Sequence, residues 1–173
     1  MLGFAVDVTE RVRTRQRAEA LQAELLATAQ RQVQERESFY RVFDQTAALV
    51  GLLRGPHHRF DYVNPAFQQL FAGRPLAGLD YATALPDAAA QGFVVQLDEV
   101  YRTGEPYVSH ETPIALQPPG GEPTAHYLDV TYQPLRDAHG QTTGVQAFVL
   151  DVTERVHTRQ INRNQRSPWR FAV

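Results

Sequence analysis

Apolar and polar positions keep two different rhythms along this chain. From about residue 10 to 45 the spacing alternates between three and four: Ala18, Leu21, Leu25, Thr28, Gln32, Glu35, Phe39 and Val42. That is a heptad seam, apolar at its ends and polar at Gln32 and Glu35. Residues 10–37 hold neither Gly nor Pro and are dominated by Gln, Glu, Arg, Ala and Leu, all strong helix formers. The pattern predicts a helix roughly 50 Å long at 1.5 Å per residue. Alone it would bury little. One reading is a parallel two-stranded coiled coil between two copies of the protein, with Leu21, Leu25, Phe39 and Val42 in the seam; the other is a solvated single helix.

Beyond residue 45 the rhythm shortens. GLLRGPHH reads as a strand broken at Gly55-Pro56, and RFDYVN as its partner. Asn64-Pro65 starts a short helix, because Asn caps and Pro suits the first helical position. One or two further turns follow in LAGLDYATALPD. GFVVQLDEVYRTGEP sets Phe93, Leu97, Val100 and Tyr101 on one helical face and stops at Gly104. Three strands close the series: YVSHETPIAL, HYLDVTYQPL and GVQAFVLDV, joined by turn-rich loops. Two strands, short helices and three strands predict an α+β domain, an antiparallel sheet with its helices on one face.

A repeat frames this domain. Residues 3–16, GFAVDVTERVRTRQ, match residues 147–160, AFVLDVTERVHTRQ, at ten of fourteen positions. The offset of 144 residues is a domain length, so the repeat predicts a tandem architecture. In each copy an apolar strand ends at an aspartate, Asp7 or Asp151. Thr9 or Thr153 then occupies a helix N-cap position, with Glu10 or Glu154 in the first turn. Each copy is thus a joint where a strand becomes a helix. Residues 1–8 read as the last strand of a preceding domain, 9–37 as a helical linker, 38–156 as the complete domain, and 157–173 as a truncated exit helix or a disordered tail.

Composition narrows the chemistry. Among 173 residues 43% are hydrophobic and 21% charged, ordinary for a chain with a core. The net charge of -2 gives no electrostatic reason to expect nucleic acid or an anionic membrane. No apolar run approaches the roughly 20 residues a membrane span needs, and the expected location is cytoplasmic. There is no cysteine, hence no disulfide or thiolate ligand. No Walker or Rossmann glycine loop is present, and Ser38, Ser109 and Ser167 lie in no nucleophile elbow. The histidines, at 57, 58, 110, 126, 139 and 157, lack the i, i+4 spacing of a helical metal site. No enzyme activity and no metal site are expected of this chain.

FDYVNPAFQQLF, the helix ending VYRTGEP, the strand YLDVTYQPLRD and the exit DVTERV, in this order and spacing, resemble a bacterial PAS domain. The resemblance implies a five-stranded antiparallel sheet in spatial order 2-1-5-4-3, with short helices around a small pocket. It also implies a place in series with other PAS or kinase domains, as in sensor histidine kinases, and signal relay through dimeric helices. Haem is not expected, because such domains carry the haem histidine on the long helix and this one has none there. A light-driven flavin adduct is excluded for want of cysteine, and Leu128 falls where an amide would meet the flavin.

What remains is an apolar interior. Alternation sets Leu128, Val130 and Tyr132 on one face, and Val145, Ala147 and Val149 on one face of the next strand. Phe67, Leu70 and Phe71 on the short helix, and Phe93 and Leu97 on the long one, would close it. Asn64 is the polar candidate, although helix capping alone accounts for it. A filled core and a genuine small-molecule site both fit this pattern. Asp151 and Thr153, with Asp7 and Thr9 in the other copy, are the candidate signal-coupling residues. Gln146, Phe148 and Leu150 on the outward face of the last strand need cover, for which the N-terminal helix is the candidate.

Overall fold

The computed structural model describes residues 8–71, 73–118 and 120–165, apart from the side chains of 8–11, 33, 36–39, 164 and 165. Asp7, the strand expected before it and the tail beyond 165 lie outside the described residues. So do the side chains of Thr9 and Phe39. The chain divides into two compact units, residues 1–42 and 43–173.

The first unit is helical. α1 spans Val8–Asp44 and so includes Val8, which the sequence pattern assigns to a strand. Leu21 and Leu25 on α1 are exposed, and so is Val42. No helix among the described residues is long and apolar enough to cross a membrane.

The second unit carries the sheet. β1 (Leu49–Arg54) pairs with β2 (Arg59–Val63) across the Gly55-Pro56 turn. Four helices follow: α2 (Pro65–Leu70), α3 (Tyr81–Ala84), α4 (Pro86–Ala90) and α5 (Phe93–Thr103). β3 (Tyr107–Leu116), β4 (Thr124–Arg136) and β5 (Thr142–Asp151) complete the sheet, and α6 (Thr153–Gln165) leaves it. All pairings are antiparallel and the order is β2-β1-β5-β4-β3, as expected.

Local chemistry explains the boundaries. α5 ends because Gly104 takes φ 70°, where a side chain is strained, and returns its N–H to the Val100 carbonyl. Gly144 on β5 lies opposite Arg54 on β1, and a Cβ there would overlap the Leu53 carbonyl oxygen. The core lies between the helices and one sheet face. Leu53, Phe60, Leu97, Val100, Val130 and Val145 are all at most 1% exposed. On the other sheet face the Phe43 ring meets Phe148 edge-on at 5.8 Å, while Leu150 stays exposed.

Candidate functional site

The strand-to-helix joint at residue 151 is built from side chains that extend the sheet ladder past its end. The last paired rung of β4 and β5 is Leu128 opposite Asp151. One residue further the Val152 N–H donates to the Tyr127 carbonyl at 2.8 Å. The Tyr127 N–H has no strand carbonyl left opposite it and donates instead to the Thr153 hydroxyl at 2.9 Å. That hydroxyl in turn donates to Asp151 Oδ1, which also accepts the Thr153 N–H at 2.9 Å. Thr153 is therefore the first helical residue rather than the cap expected from sequence, and Asp151 does the capping.

The other carboxylate oxygen of Asp151 lies 2.9 Å from His126 Nδ1 on β4. Partial burial pushes the Asp151 carboxyl up, but the bonds from Thr153 and then His126 outweigh it and hold the group below its usual value. Val152 and Val156 are buried, so α6 starts with apolar anchors as well.

A second set of contacts ties α6 to the sheet. β3 carries a bulge between Ser109 and Thr112, with Glu111 at φ 51°. The bulge turns the Glu111 N–H onto Asp129 Oδ1 at 2.8 Å. Arg155 then donates to Asp129 Oδ2 at 2.9 Å, and Arg159 to Glu111 Oε2. The Glu111 N–H and Arg155 lower the Asp129 carboxyl, and Arg159 lowers that of Glu111.

The interior holds a cavity of about 30 Å³. That is room for a water or two, against the roughly 300 Å³ at which small-molecule pockets begin. Phe67, Leu70 and Phe71 line it from α2 and its end, and Phe93 from α5. Leu128, Val130 and Tyr132 line it from β4, with Ala147 and Val149 from β5. Val145 and Leu97 are buried in the core beside it without bordering it.

Asn64 is not part of this cavity. It is fully buried and fully used, because its Oδ1 accepts from Val50 and Phe67 N–H while its Nδ2 donates to the Phe43 and Ala48 carbonyls. Its role is to join the end of α1, β1 and the start of α2.

Tyr81 was not foreseen as a lining residue. Burial raises the pKa of both Tyr81 and Tyr132, so both phenols stay protonated, and each perturbs the other. No sequence signal distinguishes Tyr81, which sits in a four-residue helix. His58 is another surprise. It is buried with Nε2 2.7 Å from Asp98 on α5, and its Nδ1 has no partner among the described residues. Also among the described residues, no three His, Asp or Glu side chains cluster as a metal site.

Comparison with known proteins agrees with this geometry. The fold is similar to VqmA bound to DPO, with TM-score 0.52 and 23% identity over 66% of this chain and 56% of that one. It is also similar to an RNA-binding Light-Oxygen-Voltage receptor, with TM-score 0.55 and 22% identity over 76% of this chain and 36% of that one. A third match is the PAS domain of a protein from Colwellia psychrerythraea, with TM-score 0.53 and 11% identity over 69% of this chain and 98% of that one. This chain thus spans 56% and 36% of the first two proteins, and at these identities the likeness is one of fold. Residues 43–157, two thirds of the chain, match the family described as PAS fold, and the chain belongs to that family.

Proposed function

We propose that this chain is a sensory signal-relay module of a bacterial signal-transduction protein, a sensor histidine kinase on the family resemblance. Its own role is sensory rather than catalytic. The observation that carries the proposal is the exit joint. Asp151 and Thr153 tie the first turn of α6 to β4, so a displacement of the sheet changes the helix at once. The module acts in the cytoplasm between neighbouring PAS or kinase domains. It dimerises through α1, whose Leu21 and Leu25 are free to meet a second copy.

Relay follows if the coil has two packings of similar energy and the sheet favours one of them. The polar centre of the seam, at Gln32 and Glu35, keeps those packings close in energy. Asp151→Ala in the intact receptor tests the joint, and unchanged signalling would refute it. Sedimentation of this chain tests the dimer, and a strict monomer at high concentration removes that part.

A second reading has the interior as the binding site for a small apolar or aromatic molecule. The aromatic lining supports it, as does the likeness to VqmA, described as bound to DPO. With about 30 Å³ of free space, binding requires lining side chains to move. Native mass spectrometry of protein purified from its own source would reveal a retained molecule; its absence, with no thermal shift from any aromatic compound, sinks this reading.

A further inference from the structure

Beside the interior cavity lies a larger recess of about 280 Å³, between the end of α2 and the β3–β4 connection. Leu70 and Phe71 border both spaces, so they form the partition between them. The recess is thus apolar on its inner side. Its lining also includes the polar side chains of Gln69, Arg74, Gln117, Thr124 and His126.

The two lining groups able to carry positive charge, Arg74 and His126, already face carboxylates. Arg74 donates to both oxygens of Asp87 at 2.6 and 3.0 Å, and also to the Gln117 carbonyl. His126 faces Asp151 at 2.9 Å. A free anion would therefore gain little net attraction here, and a cation would meet the Arg74 guanidinium. Hydrogen-bonding capacity remains, because the exposed Gln69 amide makes no bond to any described residue. The volume sits just below the roughly 300 Å³ at which small-molecule pockets begin.

We propose that this recess binds a small, neutral molecule with a carbonyl or ring-nitrogen acceptor, and that its occupant acts on the exit joint through His126. The route is short. His126 Nε2 lies 3.1 Å from Thr124 Oγ1, and Nδ1 meets the carboxylate that caps α6. With neutral His126 donating Nδ1–H to Asp151, its Nε2 is an acceptor, so the single Thr124 hydroxyl proton has two acceptors in reach, His126 Nε2 and the Leu116 carbonyl at 3.3 Å. Thr124 and His126 both line the recess, so an occupant that engages either one reorders this chain of bonds up to Asp151. The coupling rests on the exit joint being the output of the module, whereas binding in the recess does not.

The test is an NMR titration of the whole ¹⁵N-labelled chain with nicotinamide as neutral probe and benzoate as anionic comparator. Nicotinamide is expected to give saturable shifts at the Gln69 and Gln117 side-chain amides and at the Thr153 backbone amide. The expected Kd is about 1 mM, with benzoate about tenfold weaker. Gln69→Trp, at an exposed position outside the core, fills the recess and abolishes the shifts. His126→Gln weakens binding about threefold and, at saturation, loses the Thr153 shift. Shifts confined to interior residues such as Phe93 and Val145, or no saturation up to about 20 mM, overturn the site. Tighter binding of benzoate overturns the neutral-ligand assignment, and saturation with an unmoved Thr153 amide overturns the coupling. The relay reading fails separately, through Asp151→Ala in the intact receptor.

Discussion

Replacing Asn64 with alanine removes four hydrogen bonds at one buried point. The Val50 and Phe67 N–H groups lose their acceptor, and the Phe43 and Ala48 carbonyls each lose one donor while keeping bonds from Thr46. Asn64 is 0% exposed and so is Val50, so water does not reach the Val50 amide without local opening. An orphaned buried group costs about 1–3 kcal/mol, and loss of an N-cap about 1 kcal/mol. The carbonyls of Phe43 and Ala48 belong to half-buried residues and recover part of their loss from solvent. The expected destabilisation is about 3–5 kcal/mol, a large share of the roughly 5–15 kcal/mol that holds a domain together. Urea unfolding followed by circular dichroism measures it: the midpoint should fall by about 1.5–3 M with an unchanged slope. Asn64→Asp keeps both accepted bonds but sets a buried carboxylate oxygen against the Phe43 and Ala48 carbonyls, so it should not rescue the loss. A loss below about 1 kcal/mol for Asn64→Ala would show that the four bonds are replaceable and that the reasoning is wrong.

Further predictions follow from other points of the fold. Gly144→Ala should cost about 3 kcal/mol or more, because the new Cβ can be accommodated only if β1 and β5 part at Leu53; a thermal melt within a degree or so of the parent refutes this. Thr153→Val should speed amide hydrogen exchange at Tyr127 and through the first turn of α6, while Thr153→Ser should not, since only the hydroxyl satisfies the Tyr127 N–H. Asp87, Asp129 and Asp151 are all held below the usual carboxylate value, so the unfolded chain binds more protons than the folded one as pH falls. Their contribution is complete above about pH 4, the unfolded value, and is lost as pH drops through the lower folded values. Urea midpoints should fall steeply below that point, less so in Asp87→Asn; a midpoint flat from pH 6 to 3 would refute the assignment. Raising salt should loosen the end of α6 before the sheet, because Arg159 and Glu111 pair in solvent; equal exchange protection of α6 at low and high salt would contradict it.

The sheet was legible because alternation is a local property. Leu128, Val130 and Tyr132 announce one inward face whatever they pack against. Asn64 was legible as a cap, since its partner Phe67 is three residues away. Its reach to Phe43, Ala48 and Val50 was not, because those partners are fixed by the fold. The same limit hid His126 and Asp151, which lie 25 residues apart and meet only once the register of β4 and β5 is known. Gly104 could be placed as a helix stop from its position alone, whereas the bulge at Glu111 carries no glycine to announce it. The cavity was the least legible feature. The residue types around it were predictable, but its volume depends on how rings such as Phe67 and Phe71, 5.3 Å apart, tilt against each other.

The side-chain rung at Thr153 also sets an angle. Because the first residue of α6 is bonded to both Tyr127 and Asp151, the helix leaves the sheet with a fixed azimuth, and each later residue inherits it at about 100° per step. Inserting one residue within α6 turns everything beyond it by that amount, whereas inserting seven returns the face to within about 20°. The joint therefore fixes the phase of α6 as well as its position, with seven residues as its natural gauge.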